Sequence, residues 1–162
     1  MSTADLVVIG RAETVDFSEL GCNGVPVRID TGAKSSSIWA SSVREVDGVL
    51  HVVLFGEGSP FCTGQEMQFK HYTTAAVASS TGVVHDRFKV KLLIRLEGRL
   101  IRASFTLADR STQAYPVLIG RNVLRGKFIV DVAQGTVDRN AERQRSTALR
   151  VAVGKPEIEE NI

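Results

Sequence analysis

A chain of 162 residues holds one ordinary domain and not two, because globular domains cluster at about 100–150 residues. Leu, Ile, Val and Phe together number 49, enough to fill one core, which argues against intrinsic disorder. Twenty Lys and Arg against eighteen Asp and Glu leave a net charge of +2, too small a surplus to argue for a non-specific nucleic-acid binder.

Two cysteines, Cys22 and Cys62, form no Cys-x-x-Cys pair, so neither a disulfide framework nor a Cys-rich zinc site is implied. No apolar run approaches the roughly 18–20 residues of a membrane span, and the first ten residues lack a basic region followed by a long apolar stretch. A soluble, cytoplasmic protein with no membrane partner is therefore expected.

Val, Ile and Thr total 41 residues, a β-leaning composition. Short apolar runs between turn signals predict strands at Leu6–Ile9, Val25–Ile29, Val49–Phe55, Thr73–Ala78, Phe88–Leu96, Arg99–Leu107, Val117–Ile119 and Phe128–Val132. Glu97-Gly98 fits a hairpin turn between two of them. One short helix is predicted at Asn122–Leu124. Gly56–Pro60 reads as the turn of an added hairpin within residues 40–72. Beyond residue 137 the chain becomes polar. The expected organisation is a folded domain over 1–137 and a polar tail over 138–162, with an extra edge strand at Leu149–Val153 as an option.

Chemistry concentrates in Asp30-Thr31-Gly32-Ala33, directly after the apolar run Val25–Ile29. An Asp leaving a strand into a tight Thr-Gly turn is presented at an element end, although Asp and Gly also make ordinary surface turns. Ninety residues on, Val117-Leu118-Ile119-Gly120-Arg121-Asn122-Val123-Leu124 carries an apolar strand into Gly-Arg-Asn.

Together, and in this order, the two segments resemble the retropepsin-like aspartic proteases. A narrower resemblance lies in Gly10–Glu13, Arg28–Ala40, Ser79–Gly82 with Arg87, and Thr106–Ser111, over roughly Val8 to Val132. These are similar to the bacterial RimB-like branch, often labelled an ATP-dependent zinc protease and associated with ATP-grasp ligases that add glutamates to a ribosomal protein. The resemblance implies an all-β, acid-protease closed barrel with one short C-terminal helix. It implies an aspartic endopeptidase in which Asp30 is catalytic, Thr31 ties two turns across a two-fold axis, and Gly32 lets backbone approach substrate.

Peptide hydrolysis by carboxylates needs two that share a proton, and this chain offers one Asp-Thr-Gly, so a homodimer is expected to supply the second Asp30. Ala33 stands where many acid proteases keep a serine hydroxyl that favours the charged carboxylate, so its absence suits work nearer neutral pH. The resemblance also places a flap at Thr74–Arg87, with Ser79, Ser80, Thr81 and Gly82 at its tip.

Viral members carry an acidic residue where this chain has Lys34, which deprives Arg121 of that partner. Either Arg121 finds another carboxylate, Asp109 first, or Lys34, Arg121, Arg87 and Arg110 leave the cleft positive. The second case favours acidic, glutamate-rich peptides, with a ribosomal protein or an ATP-grasp ligase as associated partners.

His51, His71 and His85 show no His-Glu-x-x-His spacing, so no metal site is assigned, although His71 with Cys62 could contribute to one. No Gly-x-x-x-x-Gly-Lys-Ser/Thr loop occurs and no cofactor is expected. Two other readings stand beside the aspartic peptidase. One is a zinc-dependent peptidase, as the family label says; the other is a non-catalytic module that holds an acidic peptide beside a glutamate ligase.

Overall fold

The computed structural model describes residues 5–61, 63–78, 81–135 and 144. Its strands are β1 (Val7–Ile9), β2 (Ala12–Phe17), β3 (Cys22–Ile29), β4 (Ser36–Val46), β5 (Val49–Leu54), β6 (Glu66–Phe69), β7 (Thr73–Ala78), β8 (Val84–Leu96), β9 (Arg99–Ala108), β10 (Val117–Ile119) and β11 (Phe128–Val130). The short helix α1 covers Arg121–Leu124.

Strand β10 closes the main sheet on itself. It pairs in parallel with β3 and antiparallel with β4, while β3–β2–β8–β9–β4 complete the circuit. The architecture is the expected all-β ring with a short helix near its end. Alternation builds its wall: Val90, Leu92, Ile94 and Leu96 of β8 are buried, and Lys89, Lys91 and Arg95 between them are not. Phe17 and Phe105, both fully buried, meet edge to face at 6.1 Å inside the ring. Burial of each such side chain is worth about 1.5–3 kcal/mol, so the lining holds the ring together.

Beyond Ala40, β4 leaves the ring and forms an extension with β5 and β6. The reversal from β4 to β5 is the tight turn Asp47-Gly48, with φ of 51° and 74°; the antiparallel β5–β6 pair is the added hairpin expected within residues 40–72, with residues 56–60 in its connection. Gly56 is needed there because a Cβ would fall 2.2 Å from the Trp39 ring. Strands β2, β4 and β6 were not among those predicted. The 149–153 edge strand and nearly all of the 138–162 tail lie outside the described residues.

Strands β1 and β11 form a separate parallel pair, on which Val8 (51%) and Ile129 (49%) keep about half their surface exposed. No helix among the described residues is long and apolar enough to cross a membrane.

Candidate active site

Asp30 follows β3 at the point where β10 runs beside it, and its N–H donates to the Ile119 carbonyl at 2.9 Å. Ala33 N–H closes the turn onto the Asp30 carbonyl at 3.3 Å. Gly32 N–H donates to Asp30 Oδ1 at 2.9 Å, and a Cβ on Gly32 would stand only 3.2 Å from that oxygen. The carboxylate is thus oriented by backbone, with glycine giving the close approach.

The Gly-Arg-Asn segment fastens this turn from behind. Arg121 N–H donates to the Ala33 carbonyl at 2.8 Å, and its Nη1 donates to the carbonyls of Thr31 and Gly32 at 3.2 and 3.0 Å. Arg121 therefore engages backbone oxygens of the Asp turn and not Asp109, whose carboxylate accepts the Ser111 N–H at 3.0 Å. That bond, with the Ser111 hydroxyl, holds the Asp109 carboxyl below its ordinary range. Gly120 fits because a Cβ there would lie 2.4 Å from the Ser35 carbonyl oxygen.

Ser36 completes the fastening. Its buried hydroxyl accepts the Gly120 N–H at 2.9 Å and donates to Asn122 Oδ1 at 2.7 Å, while Asn122 Nδ2 donates to the Ser104 carbonyl at 2.9 Å. Three segments distant in sequence, residues 31–36, 104 and 120–122, are joined by this one network, which fixes where the Asp30 turn sits.

Electrostatics single out the opposite neighbours of the turn. Arg110 is half-buried, with Nε donating to the Tyr115 carbonyl at 3.0 Å and Nη1 to Ser37 Oγ at 3.3 Å. Loss of solvent lowers its pKa to about 10, the charges of Arg87 and Arg28 push the same way, and Asp30 opposes them. The charges of Arg87, Arg28 and Asp30 are thus all felt at Arg110. Arg28 was missed by motif reading, yet a signal existed: it is an exposed residue near the end of β3, two positions before Asp30.

The other predicted residues separate. Thr31, Lys34 and Arg121 border a neighbouring hollow of about 790 Å³ together with Asn122, Leu124, Arg125 and Phe128. Strands β7 and β8 form the expected hairpin, paired from Thr73↔Lys89 to Ala78↔Val84, with Arg87 opposite Ala75. Thr81 and Gly82 are exposed at its tip, Gly82 with φ of 82°; Ser79 and Ser80 lie outside the described residues.

Among the described residues no three His, Cys, Asp or Glu side chains group as ligands. His51 Nδ1 instead lies 2.7 Å from Glu66, which also receives Arg44 at 3.0 Å, and Cys62 lies outside the described residues.

Comparison with known proteins agrees with this geometry. A 131-residue stretch is 27% identical to a "Probable alpha-L-glutamate ligase" of Shewanella halifaxensis, and 132 residues are 28% identical to a protein of the same name from Desulfotalea psychrophila. Each match takes in 78% of this chain, but the chain spans only 29% and 28% of those relatives. In fold it matches the crystal structure of a Legionella pneumophila protein of unknown function, with a TM-score of 0.61 and 22% identity over 80% of this chain and 95% of that one. The family model described as "Retropepsin-like aspartic endopeptidase RimB" matches residues 8–141, and the chain belongs to this RimB-like family.

Proposed function

We propose that the chain is an aspartic endopeptidase that cleaves acidic, glutamate-rich peptides, using Asp30 from each of two copies. The observation that carries the reading is one carboxylate on a turn fastened by Arg121 and Ser36, with its charge felt at Arg110 together with those of Arg87 and Arg28. One Asp30, ionised, takes a proton from water as its oxygen attacks the peptide carbonyl carbon. The other, protonated, donates to the carbonyl oxygen. Proton return to the amide nitrogen then lets the C–N bond break, leaving a carboxylate and an amine. Arg28, Arg87 and Arg110 attract and orient substrate carboxylates. Thr31 and Gly32 shape the turn, and residues 79–82 cover the bound peptide.

The β1–β11 pair supports a homodimer. Among the described residues these strands pair only with each other; Ile9 and Phe128 pack into the core, while Val8 and Ile129 leave an apolar face half exposed on the other side.

The names of the curated relatives favour a second reading, in which the same fold binds an acidic chain beside a glutamate ligase without cutting it. Asp30→Asn separates the two. Under the peptidase reading it abolishes hydrolysis of an oligo-glutamate peptide and spares binding, and a neutral peptide of equal length is cut far more slowly by the parent. Undiminished cleavage by Asp30→Asn would dispose of the aspartic mechanism. Binding without cleavage by the parent protein would favour the non-catalytic module.

A further inference from the structure

A second basic site contains no residue of the Asp30 turn in its lining. On the outer face of β8 and β9, where β6 leads into β7, a groove of about 830 Å³ is lined by Lys70, His71, Lys89, Lys91, Arg102 and Glu19. Glu19 is matched by Arg102 at 2.8 Å. Among the described residues no ion pair involves Lys70, Lys89 or Lys91, so three lysines line the groove with no carboxylate partner of their own.

Their spacing is informative. Lys89 and Lys91 are successive outward residues of one strand, about 6.5–7 Å apart along it, and alternate side chains of an extended peptide recur at the same interval. Carboxylates on every second residue of an extended acidic chain can therefore meet both lysines, with Lys70 contributing from the adjoining segment. Stacked bases are a poorer fit: of the phenyl and phenol rings at the groove, Phe69 packs against the core, and Tyr72 packs edge-on to Phe88 at 5.8 Å and donates its hydroxyl to Glu45 at 2.6 Å.

We infer that this groove is a second binding site for a carboxylate-rich peptide in extended form, separate from the cleft that holds Asp30. The identity of the occupant rests on the acidic-peptide reading above, whereas the position of the site does not. Because Thr73 of β7 pairs with Lys89 of β8, an occupant also bridges the segment entering the β7–β8 hairpin and the strand leaving it.

The test uses full-length Asp30→Asn protein, which should not cut its ligand, and a fluorescein-labelled peptide of ten glutamates followed by anisotropy at low salt. Adding Lys89→Ser with Lys91→Ser is expected to weaken binding about tenfold. Lys70→Ser, on a different segment, should give part of the same loss. Arg95→Ser, which removes an exposed charge from the same strand outside the groove, should change little. Three results would overturn the inference: unchanged affinity in the double variant, an equal loss in Arg95→Ser, or tighter binding of a single-stranded RNA of matched charge. Hydrolysis by the parent protein is read separately. If glutamate peptides bind the groove but are never cut, the peptidase reading fails and the groove stands.

Discussion

Gly120 admits no side chain, because three backbone atoms of Ser35 and Ala33 lie within 2.8 Å of where its Cβ would be. Gly120→Ala must therefore push the Asp30 turn away from β10, and it should lower stability by about 1–3 kcal/mol in urea unfolding while also reducing activity. At this scale the sequence was informative where a motif repeats a known geometry and silent where the partner is set by folding. Asp30 was legible from Asp-Thr-Gly-Ala. That Arg121 serves carbonyls of the same turn was not, because a guanidinium fits carbonyls and carboxylates alike and only the approach of the two segments decides. Away from the site, Arg44 and His51 hold the Glu66 carboxyl below its ordinary value of 4.5. A carboxyl lowered by folding contributes stability above that ordinary value and loses it as pH falls through the lowered one. Glu66→Gln should thus lower the thermal midpoint at neutral pH, and the gap from the parent should close as pH falls below 4.5 and through the lowered value. A gap that persisted into acid would refute this assignment.

At the scale of elements, the β8–β9 hairpin was readable from Glu97-Gly98 because both positions take positive φ, 47° and 77°, as a tight two-residue turn requires. Gly98→Ala should cost about 1 kcal/mol in chemical denaturation, and Glu97→Asn, which tolerates that backbone better, should recover a few tenths. Strands with continuous or alternating apolar residues were found close to their observed limits. Those missed share a cause. β2 carries Glu13 and Asp16, β4 opens on Ser36-Ser37, and β6 is short and polar, so each is a strand by virtue of its neighbours. Strand β4 is the clearest case: it pairs with β9, β10 and β5 in turn, which no local pattern announces. The β5–β6 connection was legible from the turn chemistry of Gly56–Pro60, where Gly56 also passes close to the Trp39 ring; the tight Asp47-Gly48 turn before it was not read.

For the whole molecule, composition and run length sufficed for an all-β class. Closure of the ring depends on β10 fitting between β3 and β4, contacts separated by some eighty to ninety residues, and it came into view only through the family resemblance. The described chain has one Asp-Thr-Gly turn and exposes apolar residues on its small β1–β11 sheet, so the central claim is that two copies make one active site. Mixed assemblies test it most directly. Parent and Asp30→Asn chains are co-refolded in varying proportion at fixed total concentration, and hydrolysis of an oligo-glutamate peptide is measured. A shared pair predicts activity that follows the square of the parent fraction, about one quarter of full activity in an equal mixture. A linear fall, to about one half, would mean that each chain works with its own Asp30 alone and would contradict the account.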